Sequence, residues 1–120
     1  MQRGPRAIGS FVALGLMSGV LACASPTLPL PPPGPPPTLE AGPDADHVKL
    51  VGGCDSVEAY AIVVVINENV AVAGDEAVSG SRADSCGAWD AIVFAHAGDT
   101  LDIYQEYGTL RSGAVTVQVR

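Results

Sequence analysis

An all-β fold is expected from three observations: short β-branched runs with period-two alternation, turn residues between them, and no 3.6-residue apolar periodicity. The expected architecture is a small antiparallel β-sandwich or open barrel of about six strands. It follows a signal peptide and a disordered proline-rich linker, giving segments 1–22, 23–46 and 47–120.

Arg3 and Arg6 precede an uncharged run over residues 7–22, broken by Gly9, Gly15 and Gly19. A membrane span needs about 20 apolar residues. A positive start, a short apolar centre and small residues at its exit describe an export signal. Nine of the ten prolines lie after it, before residue 47, including Pro31-Pro32-Pro33-Gly34-Pro35-Pro36-Pro37. Proline fixes φ and removes a backbone donor, so neither helix nor sheet is expected here. An extended spacer rising about 3.1 Å per residue would reach roughly 60 Å. A PxxP ligand for a partner domain is the alternative.

Within residues 47–120 the strands are expected at 47–51, 57–66, 70–73, 89–96, 100–107 and 114–119. Asn67-Glu68-Asn69 and Ala97-Gly98-Asp99 serve as tight connections, and residues 74–87 as a long loop. The last strand alternates Val115, Val117 and Val119 against Thr116, Gln118 and Arg120. The preceding one sets Leu101, Ile103 and Gln105 against Asp102 and Tyr104. Such alternation indicates antiparallel sheet with one wet face. Ala61-Ile62-Val63-Val64-Val65-Ile66 is apolar on both faces and is expected to be central, covered on both sides; at an edge it would invite aggregation.

Of three cysteines, Cys23 lies at the end of the export signal, leaving Cys54 and Cys86. An exported chain meets an oxidising compartment, where this pair is expected to form a disulfide. Closing that loop would contribute about 3–4 kcal/mol in the chain-entropy model. Metal ligation by the pair is the rival, although neither cysteine sits in a CxxC or CxxH motif.

Val20-Leu21-Ala22-Cys23 resembles the lipobox of bacterial lipoproteins, with an aliphatic residue three before the cysteine and a small residue directly before it. The resemblance implies lipidation of Cys23, which becomes the first mature residue and attaches the chain to a membrane. A diacylated cysteine supplies the two or more acyl chains that stable anchoring requires. Ala24 stands where an aspartate would imply inner-membrane retention, so the outer membrane is expected in a host that has one. Ala22-Cys23-Ala24 also fits ordinary signal peptidase, which would release a soluble secreted domain. Ala97-Gly98-Asp99-Thr100-Leu101-Asp102-Ile103 is similar to a turn and strand of extracellular β-sandwich modules, cupredoxins among them. The copper site is not carried over, because no cysteine, histidine or methionine follows to supply ligands. Trp89 follows both Cys54 and Cys86, which is not the immunoglobulin order.

Chemistry is sparse. Beyond the signal, Lys49, Arg82, Arg111 and Arg120 face 13 acidic residues, a net charge of −9 that repels nucleic acid. His96 is the one histidine within the expected sheet, but Ser79, Ser81, Ser85 and Ser112 lie in no G-x-S-x-G turn. His47 sits at the linker boundary. Asp75, Glu76, Asp84 and Asp90 are the candidate calcium ligands, without the D-x-D-x-D-G spacing of a calcium loop. Tyr104, Tyr107 and Trp89 are a candidate glycan-stacking set, with core packing as the alternative. No catalytic residue and no cofactor other than the lipid is expected. The reading is a non-catalytic binding or structural module of the envelope, tethered through Cys23, with an envelope protein or glycan as its partner. A calcium- or glycan-binding module using the loop 74–87 is the second reading.

Overall fold

The computed structural model describes residues 29–120. The expected signal peptide, the lipobox and Cys23 lie outside the described residues. Among these residues there are eight strands: β1 (Thr38–Ala41), β2 (His47–Gly52), β3 (Ile62–Asn67), β4 (Val78–Arg82), β5 (Trp89–Phe94), β6 (Thr100–Tyr107), β7 (Leu110–Arg111) and β8 (Val115–Gln118). A single helical turn, α1 (Gly74–Ala77), precedes β4. All pairings are antiparallel. One sheet runs β1-β2-β5; the other runs β8-β6-β3-β4, with β7 beside the far end of β6. The fold is the expected all-β one.

The inward residues of the two sheets form a single core. Leu50, Ala91 and Val93 of the smaller sheet meet Val63, Val65, Leu101 and Ile103 of the larger, and Val119 closes one end. Alternation in β6 holds as expected: Leu101, Ile103 and Gln105 are each at most 1% exposed, whereas Asp102 and Tyr104 face outward. Val115, Val117 and Val119 turn inward while Thr116 and Gln118 are exposed. Trp89 lies across Gly52, its register partner, and its indole N–H donates to Ser56 Oγ at 3.0 Å. A Cβ at Gly52 would meet the indole nitrogen, so only glycine fits beneath the ring.

Several expectations need correction. Residues 70–73 are a turn, not a strand, held by the Asn69 side chain accepting from the Ala71 amide at 3.0 Å. Asparagine supplied a local hydrogen bond that competes with a ladder. The stretch 74–87 is not one long loop: it holds α1 and the whole of β4, which pairs with β3 from Val78 to Arg82. Serine, glycine and arginine masked that strand from a reading based on hydrophobicity. The second expected strand starts only at Ile62. β3 is central, between β4 and β6, but only its inward face is enclosed. Ile62, Val64 and Ile66 remain half-buried on the outside, because no layer covers that sheet among the described residues.

The proline segment also differs from a free spacer. Pro33 is buried, the Gly34 amide donates to Ser56 O at 2.6 Å, and β1 pairs with β2 from Thr38 to Ala41. Proline lacks a donor but its carbonyl still accepts, and an extended arm has the geometry of an edge strand once a sheet stands beside it. The folded unit therefore includes residues upstream of His47.

Candidate functional site

The polar groups of this domain are concentrated at three junctions. The first is the corner where β3 ends and β6 begins. Asp99 is 8% exposed. Its carboxylate accepts from Asn67 Nδ2, Asn69 Nδ2 and the His96 amide, each at 2.9 Å. Asn67 Nδ2 also donates to Phe94 O at 2.8 Å, linking the end of β5 in the smaller sheet to the larger sheet. Hydrogen bonds from Asn67 first, then from the His96 amide and Asn69, hold the Asp99 carboxyl below the ordinary carboxylate range. With these donors already aimed at it, Asp99 is an ionised clamp rather than a proton acceptor.

Beside it, Glu68 and Asp102 lie close on the exposed rim, and Glu68 is raised above its ordinary value by the shared hydrogen bond and the like charge. Asp102 also accepts from Thr116 Oγ1 at 2.9 Å.

The second junction is a polar pin through the core edge. Gln105 Oε1 accepts from the Glu58 amide at 2.8 Å, and its Nε2 donates to Pro31 O at 2.8 Å. The Gln105 amide itself donates to Ser112 Oγ at 2.9 Å. One buried amide thus ties the proline arm to β6. Gln105→Ala would leave the Glu58 amide without its acceptor and release the Pro31 contact. We expect a loss of about 2 kcal/mol and faster proteolytic cleavage within residues 31–37. Urea unfolding with limited proteolysis checks this.

The third junction surrounds the cysteines. Cys54 and Cys86 are paired, with Cα atoms 4.9 Å apart. Asp84 Oδ1 accepts from the Cys86 amide at 2.9 Å and the Ala88 amide at 3.0 Å, and the Asp55 amide donates to Cys86 O at 2.6 Å. Gly87 takes φ +81° directly over Val57 O, a conformation and an approach that exclude a side chain.

The residues singled out in the sequence do not converge. Asp75 and Glu76 lie on α1, Asp84 is spent on its turn, and Asp90 faces outward on β5. Among the described residues no three His, Cys, Asp or Glu side chains group as metal ligands. His96 Nε2 lies 2.9 Å from Asp46 Oδ1 on the exposed surface, and its ring meets Phe94 edge-on at 5.1 Å. His47 Nδ1 lies 2.7 Å from Asp44 Oδ1 and meets the same phenylalanine at 5.6 Å. That bond to His47 lowers the Asp44 carboxyl. Ser79 Oγ donates to Ile92 O, stitching β4 to β5, and Ser112 Oγ donates to Gly113 O, both at 2.7 Å. Neither serine faces a histidine. Trp89 is in the core, whereas Tyr104 is on the outer face of β6 with the Arg111 guanidinium 4.8 Å from its ring centre. The three aromatics therefore form no common platform.

Among the described residues two surfaces remain open. Between β1 and β8 the barrel is not closed by main-chain bonds among the described residues. A groove of about 470 Å³ follows this seam, lined by Pro36, Pro37, Leu39, Val117 and Arg120. The other surface is the outer face of the larger sheet. Asp99, Gln105 and Asn67, which organise the fold, were legible only as turn or strand residues, because their partners lie up to 74 positions away.

No protein-family model, curated protein or solved structure matches this chain. Among the described residues no helix is long and apolar enough to cross a membrane.

Proposed function

We propose that this protein is an exported bacterial lipoprotein, anchored through Cys23 after removal of residues 1–22, whose β-domain is a non-catalytic binding or structural module of the cell envelope. In a host with two membranes it occupies the outer one. The observation that carries this reading is Val20-Leu21-Ala22-Cys23 directly after a charged start and a short apolar run. The domain supports it in two ways. Its buried polar side chains (Ser56, Asn67, Asp99, Gln105 and Ser112) are engaged in joining segments of the fold. A disulfide between Cys54 and Cys86 suits an extracytoplasmic compartment.

With the proline arm docked from Pro31, the stretch between lipid and domain shrinks to residues 24–30. Seven residues can reach at most about 25 Å at the limit of covalent extension, so the domain rides close to the membrane. Its net charge of −9 keeps it from adhering to anionic headgroups. Growth with an alkynyl palmitate analogue should label the wild-type chain and leave Cys23→Ala unlabelled. Equal labelling of the variant would refute the anchor.

A further inference from the structure

The proline arm leaves the folded unit at one end of the two sheets. Pro31 is held there by Gln105, whose side chain also accepts from the Glu58 amide. The Gly34 amide donates to Ser56 O beside the Cys54–Cys86 bridge. β3 starts and β6 finishes at this end, with Ile62 and Glu106 as partners. The Asn67–Asp99 corner and Val70 lie at the opposite end, where β3 finishes and β6 starts.

Two tyrosines mark the end from which the arm leaves. Tyr60 is 55% exposed and Tyr107 48% exposed. Among the described residues no other tyrosine, tryptophan or phenylalanine is as exposed. Tyr107 follows Glu106 directly and Tyr60 lies two before Ile62, so they leave from neighbouring points of the sheet margin. Tyr60 has φ +63°, a region that a bulky side chain rarely enters. Its amide donates to Asp84 O at 3.1 Å and its carbonyl accepts from Arg82 Nη1 at 3.2 Å. Both main-chain groups are thus fixed while the ring stands in solvent. Glycine would meet this backbone requirement without strain. A large aromatic kept in such a conformation, outside the core, points to a contact beyond the chain.

We propose that this end of the domain docks on the surface of the bilayer that anchors it, with the Tyr60 and Tyr107 rings in the headgroup layer. The inference rests on the anchoring through Cys23 proposed above. Tyrosine combines an apolar ring with a polar tip and is enriched where hydrocarbon meets water. Residues 24–30 reach at most about 25 Å, so the end at which Pro31 is pinned is the one held at the membrane. An inverted domain, with the fully exposed Val70 as its contact, would need the arm to span the length of β6. Eight residues of strand are about 27 Å long, which exceeds that reach.

Charge favours the same orientation. Arg82 and Arg111 are both at the docking end, as the partners of Ile62 and Glu106. Among the described residues the opposite end exposes Asp44, Asp46, Glu68, Asp75 and Glu76, with Arg120 as its one Lys or Arg. The more negative end therefore points away from the bilayer. Asp55, Glu58 and Asp84 are exposed near the tyrosines, so the surface selected is a zwitterionic one, in keeping with the net charge of −9. Two rings make a weak contact by themselves, and the short arm supplies the effective concentration that makes it persist.

The test uses the full chain from its native envelope, its lipid confirmed by intact mass, reconstituted into phosphatidylcholine vesicles that contain a dansyl-headgroup lipid. Energy transfer from Trp89, the single tryptophan, reads the height of the domain above the bilayer. Tyr60→Gly and Tyr107→Ser should each lower the transfer. Together they should lower it about twofold or more, as the domain is released to the full reach of the arm. Tyr60→Gly should keep the thermal midpoint close to that of the wild type, because its φ suits glycine and the ring lies outside the core. Val70→Ser should leave the transfer unchanged, and replacing part of the phosphatidylcholine by anionic phosphatidylglycerol should lower it. Transfer that is unchanged in the double variant, lowered by Val70→Ser or raised by anionic lipid would each overturn the proposal. A chain without lipid on Cys23 would overturn both readings, whereas a lipidated chain that fails these tests keeps its anchor and loses the docking alone.

Discussion

Asp99→Ala is expected to remove about 3–4 kcal/mol of stability, on the basis of roughly 1.5 kcal/mol or more for each bond to a charged acceptor. The Asn67, Asn69 and His96 donors lose their common acceptor at once. Asn67 keeps Phe94 O and Asn69 reaches solvent, which keeps the loss below a full sum. The same residue predicts an acid dependence. Asp99 titrates lower in the folded chain than in the unfolded one, chiefly through the Asn67 hydrogen bond. A lowered folded value means that the unfolded chain takes up the proton first as pH falls. The stabilisation is therefore complete above about pH 4, the ordinary carboxylate value, and is lost as pH drops through the folded value. Urea midpoints between pH 2 and pH 6 should fall on the acid side for the wild type. Asp99→Asn should show a lower but flatter profile. Asp44 is shifted in the same direction by His47, yet it is exposed, so Asp44→Asn should retain nearly all of the wild-type slope.

Loss of the Cys54–Cys86 bridge should cost a similar amount. The two cysteines are 32 positions apart, and the chain-entropy model assigns a loop of that length about 3–4 kcal/mol. For a domain of this size, each kcal/mol moves the thermal midpoint by about 4–8 °C. The double variant Cys54→Ser/Cys86→Ser, or reduction of the wild type, should therefore lower the midpoint by roughly 15–25 °C. The bonds from Asp55 to Cys86 O and from the Cys86 and Ala88 amides to Asp84 do not involve sulfur, so the reduced chain should still fold at low temperature. Thermal scans by circular dichroism, with and without reductant, check both statements. A change under about 5 °C would mean that these loop bonds alone fix the junction.

Much of this architecture could be read from residues because alternation reports directly on which face is buried. β6 and β8 are the clear cases: their inward residues, Leu101 and Ile103 in the first and Val115 and Val117 in the second, were identifiable from period two alone. β4 was not, since Val-Ser-Gly-Ser-Arg carries almost no hydrophobic signal and owes its pairing to the strong strand beside it. The proline arm was misleading for a related reason. Composition reports what a segment can do by itself, whereas β1 exists because β2 offers an edge and Gln105 holds Pro31. Val70 shows the opposite error: a β-branched run that the neighbouring asparagine turns away from the sheet and leaves fully exposed. The Asp99 clamp needed a third dimension, because its donors arrive from two loops some 30 positions apart.

The anchoring step is the claim on which the functional account rests, and intact-mass measurement of the mature protein from its native envelope tests it most directly. The account predicts a chain beginning at Cys23 that carries the added mass of a diacylglyceryl group, with or without a further acyl chain. A chain beginning at Ser25 with no fatty acid would contradict it, and the protein would then be a freely diffusing secreted domain.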